Sequence, residues 1–146
     1  MFKKLMWATD GSQAADLALP LVRTLAGEHD GEVLVAHCEE MMVIAGRGGG
    51  VFPVHADEDD LRAKIERQVK ELSAAGIRTT FRTLHSRAGG AAHALAELAA
   101  EEAVDVIIVG TRGHTPLGGL LLGSVTQRLL QLAPCPVLAV PSSAAR

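Results

Sequence analysis

The sequence predicts an α/β protein built as a three-layer, doubly wound sheet of five parallel strands, and three observations carry that expectation. Apolar runs without alternation, such as Leu5-Met6-Trp7-Ala8 and Val106-Ile107-Ile108-Val109, suit strands covered on both faces. Between such runs lie segments whose apolar residues recur at three- or four-residue spacing, as helices packed on a sheet require. The 146 residues match one ordinary domain and show no internal repeat or linker, so a single domain over residues 1–146 is expected. Right-handed crossovers between parallel strands then place helices on both faces.

Leu5 to Ala8 forms the first strand and Asp10-Gly11-Ser12 the turn after it. Ser12 is the expected N-cap of one long helix carried by Ala15, Leu19, Val22 and Ala26, with Pro20 the awkward residue inside it. Asp30-Gly31 opens the second strand, Val33 to Cys38. Met41 to Pro53 contains Gly46-Arg47-Gly48-Gly49-Gly50 without periodicity, and is expected to be an irregular, mobile loop. The acidic run Asp57-Glu58-Asp59-Asp60 suits the positive end of a helix dipole, with Leu61, Ile65, Val69 and Leu72 as the buried stripe and Gly76 as the stop. Ile77 to Leu84 alternates as the third strand, and Ala91 to Ala103 is a helix built on Leu95 and Leu98. Val106 to Val109 is the fourth strand, Ser124 to Leu132 the last helix and Pro136 to Val140 the fifth strand.

Composition narrows the function classes. Hydrophobic residues at 48% supply a packed core, while 21% charged residues is too little for a disordered chain. A net charge of −3 gives no general attraction to nucleic acid or anionic lipid, so neither partner is expected and a nucleotide would be held by local backbone geometry. Met1-Phe2-Lys3-Lys4 leads into a short apolar stretch interrupted by Asp10, without the apolar length or cleavage site of a secretory leader. No run approaches the ~20 apolar residues of a membrane span, and a cytoplasmic location is expected. Cys38 and Cys135 lie far apart in apolar contexts, which suits buried thiols in a reducing compartment. The histidines at 29, 37, 55, 85 and 93 show no metal-ligand spacing and are expected in surface or packing roles.

In open parallel sheets ligands bind beyond the carboxyl ends of the strands, which directs attention to the segment from Gly110 to Ser124. Gly110 and Gly113 lie at the exit of a buried strand, where a missing Cβ lets backbone N–H groups turn toward an anion. Gly123 and Ser124 open the last helix, whose orphan N–H groups and dipole favour phosphate. Taken singly, each glycine is as well explained by a turn and Ser124 by an N-cap. Arg112 and His114 flank these glycines as candidate polyphosphate contacts, although exposed basic residues on loops are more often solvated.

The spacing glycine, two residues, glycine, nine residues, glycine and serine resembles the nucleotide signature of the universal stress protein family, UspA-like, in its ATP-binding subgroup. The likeness extends to Thr9-Asp10-Gly11-Ser12, to Leu121-Leu122-Gly123-Ser124-Val125 and to Ala133-Pro134-Cys135-Pro136-Val137, and is weakest between Met41 and Ala56. Ser86-Arg87-Ala88-Gly89-Gly90 departs from the usual start of the third helix. The resemblance implies a Rossmann-like sheet of the adenine nucleotide alpha hydrolase kind, with strand order 3-2-1-4-5. It also implies ATP, with Mg2+ carried by the phosphates, held by Ala8, Thr9, Asp10, Cys38, Gly110, Arg112, Gly113, His114, Gly123, Ser124 and Val125, Asp10 at the nucleoside and Cys38 against the adenine. A homodimer through the strand Pro136–Val140, burying Val137 and Val140 against the partner, is implied as well.

Three functions follow from these readings: an ATP-binding regulator in a stress response, a slow ATPase or phosphotransferase, and a protein acting through protein contacts alone. No Walker A lysine or general base stands beside the glycines, so no catalytic and no metal-ligating residue is assigned. A receiver domain would need a carboxylate where Leu84-His85-Ser86 stands, and a dinucleotide-binding domain would carry its glycines after the first strand.

Overall fold

The computed structural model describes residues 1–43, 45–53, 57–86, 90–112 and 122–142. The chain runs β1 (Lys4–Ala8), α1 (Gln13–Asp16), α2 (Leu19–His29), β2 (Glu32–Val43), β3 (Val51–Pro53), α3 (Glu58–Ala74), β4 (Thr79–Ser86), α4 (Gly90–Glu101), β5 (Val106–Gly110), α5 (Ser124–Leu132) and β6 (Val137–Val140). Five strands are parallel in the order β4-β2-β1-β5-β6, which is the expected 3-2-1-4-5 in sequence terms.

β1 is the central strand, and its register sets Trp7 between Val35 and Ile108. Its side chains alternate between two cores, because successive residues of a strand point to opposite faces. Leu5 and Trp7 join Val33, Val35, Val106 and Ile108 under Val22 and Ala26 of α2 and Ile65 and Leu72 of α3. Met6 and Ala8 join Leu34, Ala36, Ile107 and Val109 under Leu95 and Leu98 of α4 and Leu129 of α5. Each fully buried aliphatic side chain contributes about 1.5–3 kcal/mol, and the two-sided burial explains why these strands read as unbroken apolar runs.

Three expectations are corrected. The single helix after Ser12 is two helices, with Pro20 in the first turn of α2, where a missing N–H leaves no helical hydrogen bond unmade. Met41 to Pro53 is not irregular throughout: β2 continues to Val43 and pairs antiparallel with β3, Met41 opposite Pro53 and Val43 opposite Val51. Gly46 and Gly48, at φ 135° and 80°, supply the turn between them. At the other edge, Val140 is 8% exposed and already buried within this chain's own core, so it is not left for a partner to bury, whereas Val137 is half-buried against the opposite core.

Candidate functional site

The loop after β1 is closed by its own side chains. Thr9 Oγ1 accepts from the Gly11 N–H at 3.1 Å, Asp10 Oδ1 accepts from the Ser12 N–H at 3.0 Å, and Ser12 Oγ caps α1 by accepting from the Ala15 N–H at 3.2 Å. Gly11 holds φ +78°, a conformation that favours glycine, and a Cβ there would lie 2.9 Å from Leu61 Cδ2, so that the leucine side chain would have to shift. Lys64 of α3 fastens the loop from outside, donating to the Gly11 carbonyl at 2.8 Å and to Asp16 at 2.7 Å, while Gln68 donates to Asp16 at 2.9 Å.

β5 leaves the sheet beside this loop. A Cβ on Gly110 would lie 2.9 Å from the Ala14 carbonyl oxygen, so this glycine is fixed by the close approach of α1. The Gly110 carbonyl accepts from Thr126 Oγ1 at 2.7 Å, and the Thr111 carbonyl accepts from the Gly123 N–H. These two bonds draw the start of α5 onto the strand exit. Gly123, not Ser124, is the N-cap, at φ −67° and ψ 158°, and Ser124 is the exposed first helical residue. Helical geometry supplies no carbonyl for the N–H groups of Ser124, Val125 and Thr126, so the helix presents donors where three segments meet.

Ala8 and Thr9 are buried at 4% exposure, Asp10 and Val125 are half-buried, and Arg112 is exposed. Cys38 is half-buried and pairs in register with Leu84, following Leu34 and Ala36 on the face that α4 and α5 cover. Thus Asp10, Gly110, Gly123, Ser124 and Val125 belong to adjoining segments, and Cys38 lies on the neighbouring strand. Gly113 and His114 lie outside the described residues.

Two residues beyond the expected set stand beside this loop. His37 is 2% exposed, with Nδ1 2.9 Å from the Thr9 carbonyl oxygen and Nε2 bonded to Glu58, itself 5% exposed in the first turn of α3. Next to them Glu39 is ion-paired with Arg62 and lies 3.1 Å from His85. The signal was the strand parity Val33, Val35, His37 and the helical spacing Glu58, Leu61, Ile65, Leu72, both of which place polar groups on buried stripes. No cluster of His, Cys, Asp and Glu that could hold a metal ion occurs among the described residues. No helix among them is long and apolar enough to cross a membrane.

Residues 1–141 match the model of the universal stress protein family. The chain belongs to the universal stress protein family. Among its curated relatives, a universal stress protein of Thermus aquaticus is 34% identical over 144 residues, covering 96% of this chain and 99% of the relative. YxiE of Bacillus subtilis is 31% identical over 148 residues with the same coverage of both chains. The solved structure of MJ0577 superposes with a TM-score of 0.76 at 27% identity, covering 97% of this chain and 96% of the other. Two more distant universal stress proteins share the fold and were solved as complexes, one with cAMP (TM-score 0.69, 22% identity, 97% and 98% coverage) and one from Archaeoglobus fulgidus with dAMP (TM-score 0.67, 18% identity, 96% and 98% coverage).

Proposed function

We propose that this universal stress protein binds ATP at the carboxyl ends of β1, β2 and β5, as one nucleotide-binding domain over residues 1–146, and acts as a cytoplasmic regulator in a stress response. The observation that carries the reading is the tie between Thr111 and Gly123, which sets the N–H groups of Ser124 and Val125 beside the strand exit and the Asp10 loop. Backbone donors at a helix start suit a polyphosphate without a lysine clamp. Ala8, Thr9 and Gly110 form the floor, Asp10 orients the ribose, Cys38 lies against the adenine, and Arg112, Gly113 and His114 complete the phosphate side. Mg2+ is proposed to come with the phosphates. Adenine nucleotides in the two solved complexes support the ligand class.

Bound ATP then shifts conformation or partner choice by its differential affinity for two states. The groups named hold phosphate, and none of them activates water, so turnover is proposed to be slow or absent. The test is release of small molecules from freshly purified protein, identified by chromatography, followed by calorimetry with Mg-ATP. Retained adenine nucleotide and micromolar-range affinity are expected; no heat and no stabilisation at about millimolar ATP would remove the proposal. Hydrolysis at about 1 s⁻¹ or faster would replace it with an enzyme.

A further inference from the structure

Along β2 the face that α2 and α3 cover reads Val33, Val35, His37, so an imidazole stands where the alternation calls for an aliphatic side chain. A buried imidazole needs partners for both nitrogens, and both are present. The Thr9 carbonyl can only accept, so His37 Nδ1 carries a hydrogen and donates it across 2.9 Å. Nε2 meets Glu58, with one proton between ring and carboxylate. Burying such a pair is not needed for stability, since apolar replacements of similar size are often neutral or stabilising. What an apolar pair lacks is direction.

The bonded carbonyl belongs to the peptide plane that carries the Asp10 N–H. Two other bonds of this loop, Gly11 to Thr9 Oγ1 and Ser12 to Asp10 Oδ1, close within it, while the Thr9 N–H on the Ala36 carbonyl and Lys64 on the Gly11 carbonyl hold the peptides on either side; none of these four bonds uses the Thr9–Asp10 peptide. The His37 bond spans 28 positions in sequence and ties the peptide just before Asp10 to the adjacent strand, while Glu58 ties the ring to α3. We infer that His37 is a positioning residue for the nucleotide site, aiming the Thr9–Asp10 peptide through its Nδ1–H, with Glu58 holding the ring in that orientation. The inference rests on the nucleotide reading proposed above.

The two arms of the imidazole are separable by substitution. The amide nitrogen of His37→Asn falls near the position of Nδ1 and keeps the bond to Thr9, whereas that of His37→Gln falls near Nε2 and keeps the bond to Glu58. Calorimetry with Mg-ATP is expected to find His37→Asn within about two-fold of the parent and His37→Gln weaker by about ten-fold, with the gap closing in an Asp10→Ala background. Amide exchange in the nucleotide-free protein should be faster at Gly11 and Ser12 in His37→Gln alone. Equal affinities for the two variants, or the weaker binding in His37→Asn, would overturn the inference. Should His37→Gln not fold, Glu58→Gln decides: its amide can donate to Nε2 and preserve the Nδ1–H tautomer, so affinity within about two-fold is expected and a loss of about ten-fold would overturn the role. A parent that binds no Mg-ATP would instead sink the proposed function itself, an outcome read before any variant is compared.

Discussion

At Gly110 a single added carbon would meet the Ala14 carbonyl oxygen at 2.9 Å, and neither backbone can yield without moving a strand or a helix. Gly110→Ala should therefore destabilise the fold by about 1–3 kcal/mol in urea denaturation, a packing cost independent of any ligand. Asp10 is a different case. It already closes a turn with Ser12, yet Asp10→Ala is expected to weaken Mg-ATP by about 1–3 kcal/mol through lost charge-assisted hydrogen bonds, read by calorimetry. Unchanged affinity would reduce it to a turn residue. At Cys135 burial raises the thiol pKa, the negative charge of Asp105 adds to that, and a backbone hydrogen bond from Ile107 opposes it. A raised pKa leaves less thiolate, so alkylation by iodoacetamide at about pH 8 should be slower at Cys135 than at a free cysteine derivative, followed by mass spectrometry of the labelled peptide.

Elements built on one strong period were legible in the sequence. β5 and β1 are short apolar runs buried on both faces, and α3 carries its stripe at 3- and 4-residue spacing, so one local pattern settles each. Elements decided by a neighbour were not. The periodicity of Ala15, Leu19 and Val22 runs through the break between α1 and α2, because both helices lie on the same face of the sheet; the break itself is marked only by Pro20. β3 exists because β2 outruns its parallel partners and offers Met41, Met42 and Val43 as a template, a long-range cause that a glycine-rich string conceals. In the site, the glycine spacing was visible, but the buried pairing of His37 with Glu58 needs two elements brought together by the fold. At the start of α5, Gly123 has φ −67°, which any residue adopts. Gly123→Val should then keep the melting temperature within a few degrees, roughly 1 kcal/mol, while abolishing Mg-ATP binding by crowding the phosphates. A folded variant with parent affinity would move the phosphate site away from α5.

On the scale of the whole molecule, β6 forms one edge of the parallel sheet, opposite β4. Ile107 donates to the Pro136 carbonyl and Thr111 to the Val140 carbonyl, so residues 136, 138 and 140 turn their backbone groups inward to β5. Val137 and Ala139 consequently point theirs outward, between two prolines that cannot donate. Leu138 is 37% exposed, and Leu130 and Leu132 of the adjacent α5 are 52% and 41% exposed. We expect a second copy to add its β6 here across a two-fold axis, with Leu138 as an apolar contact. Ala139→Pro should dissociate that dimer in sedimentation and keep the fold, whereas Leu138→Pro would break a rung inside the monomer; a parent that sediments as a monomer at micromolar concentration rules the dimer out. The centre of the sheet carries an optical consequence. Trp7 is the one tryptophan of a chain that has no tyrosine, and it is fully enclosed on β1, two positions before Thr9. Its emission should be that of an indole without water around it, arising from a single known point beside the loop that holds Asp10. Unfolding should shift that emission to the red in one step, and an unlabelled sample carries its own reporter of what happens at the end of β1.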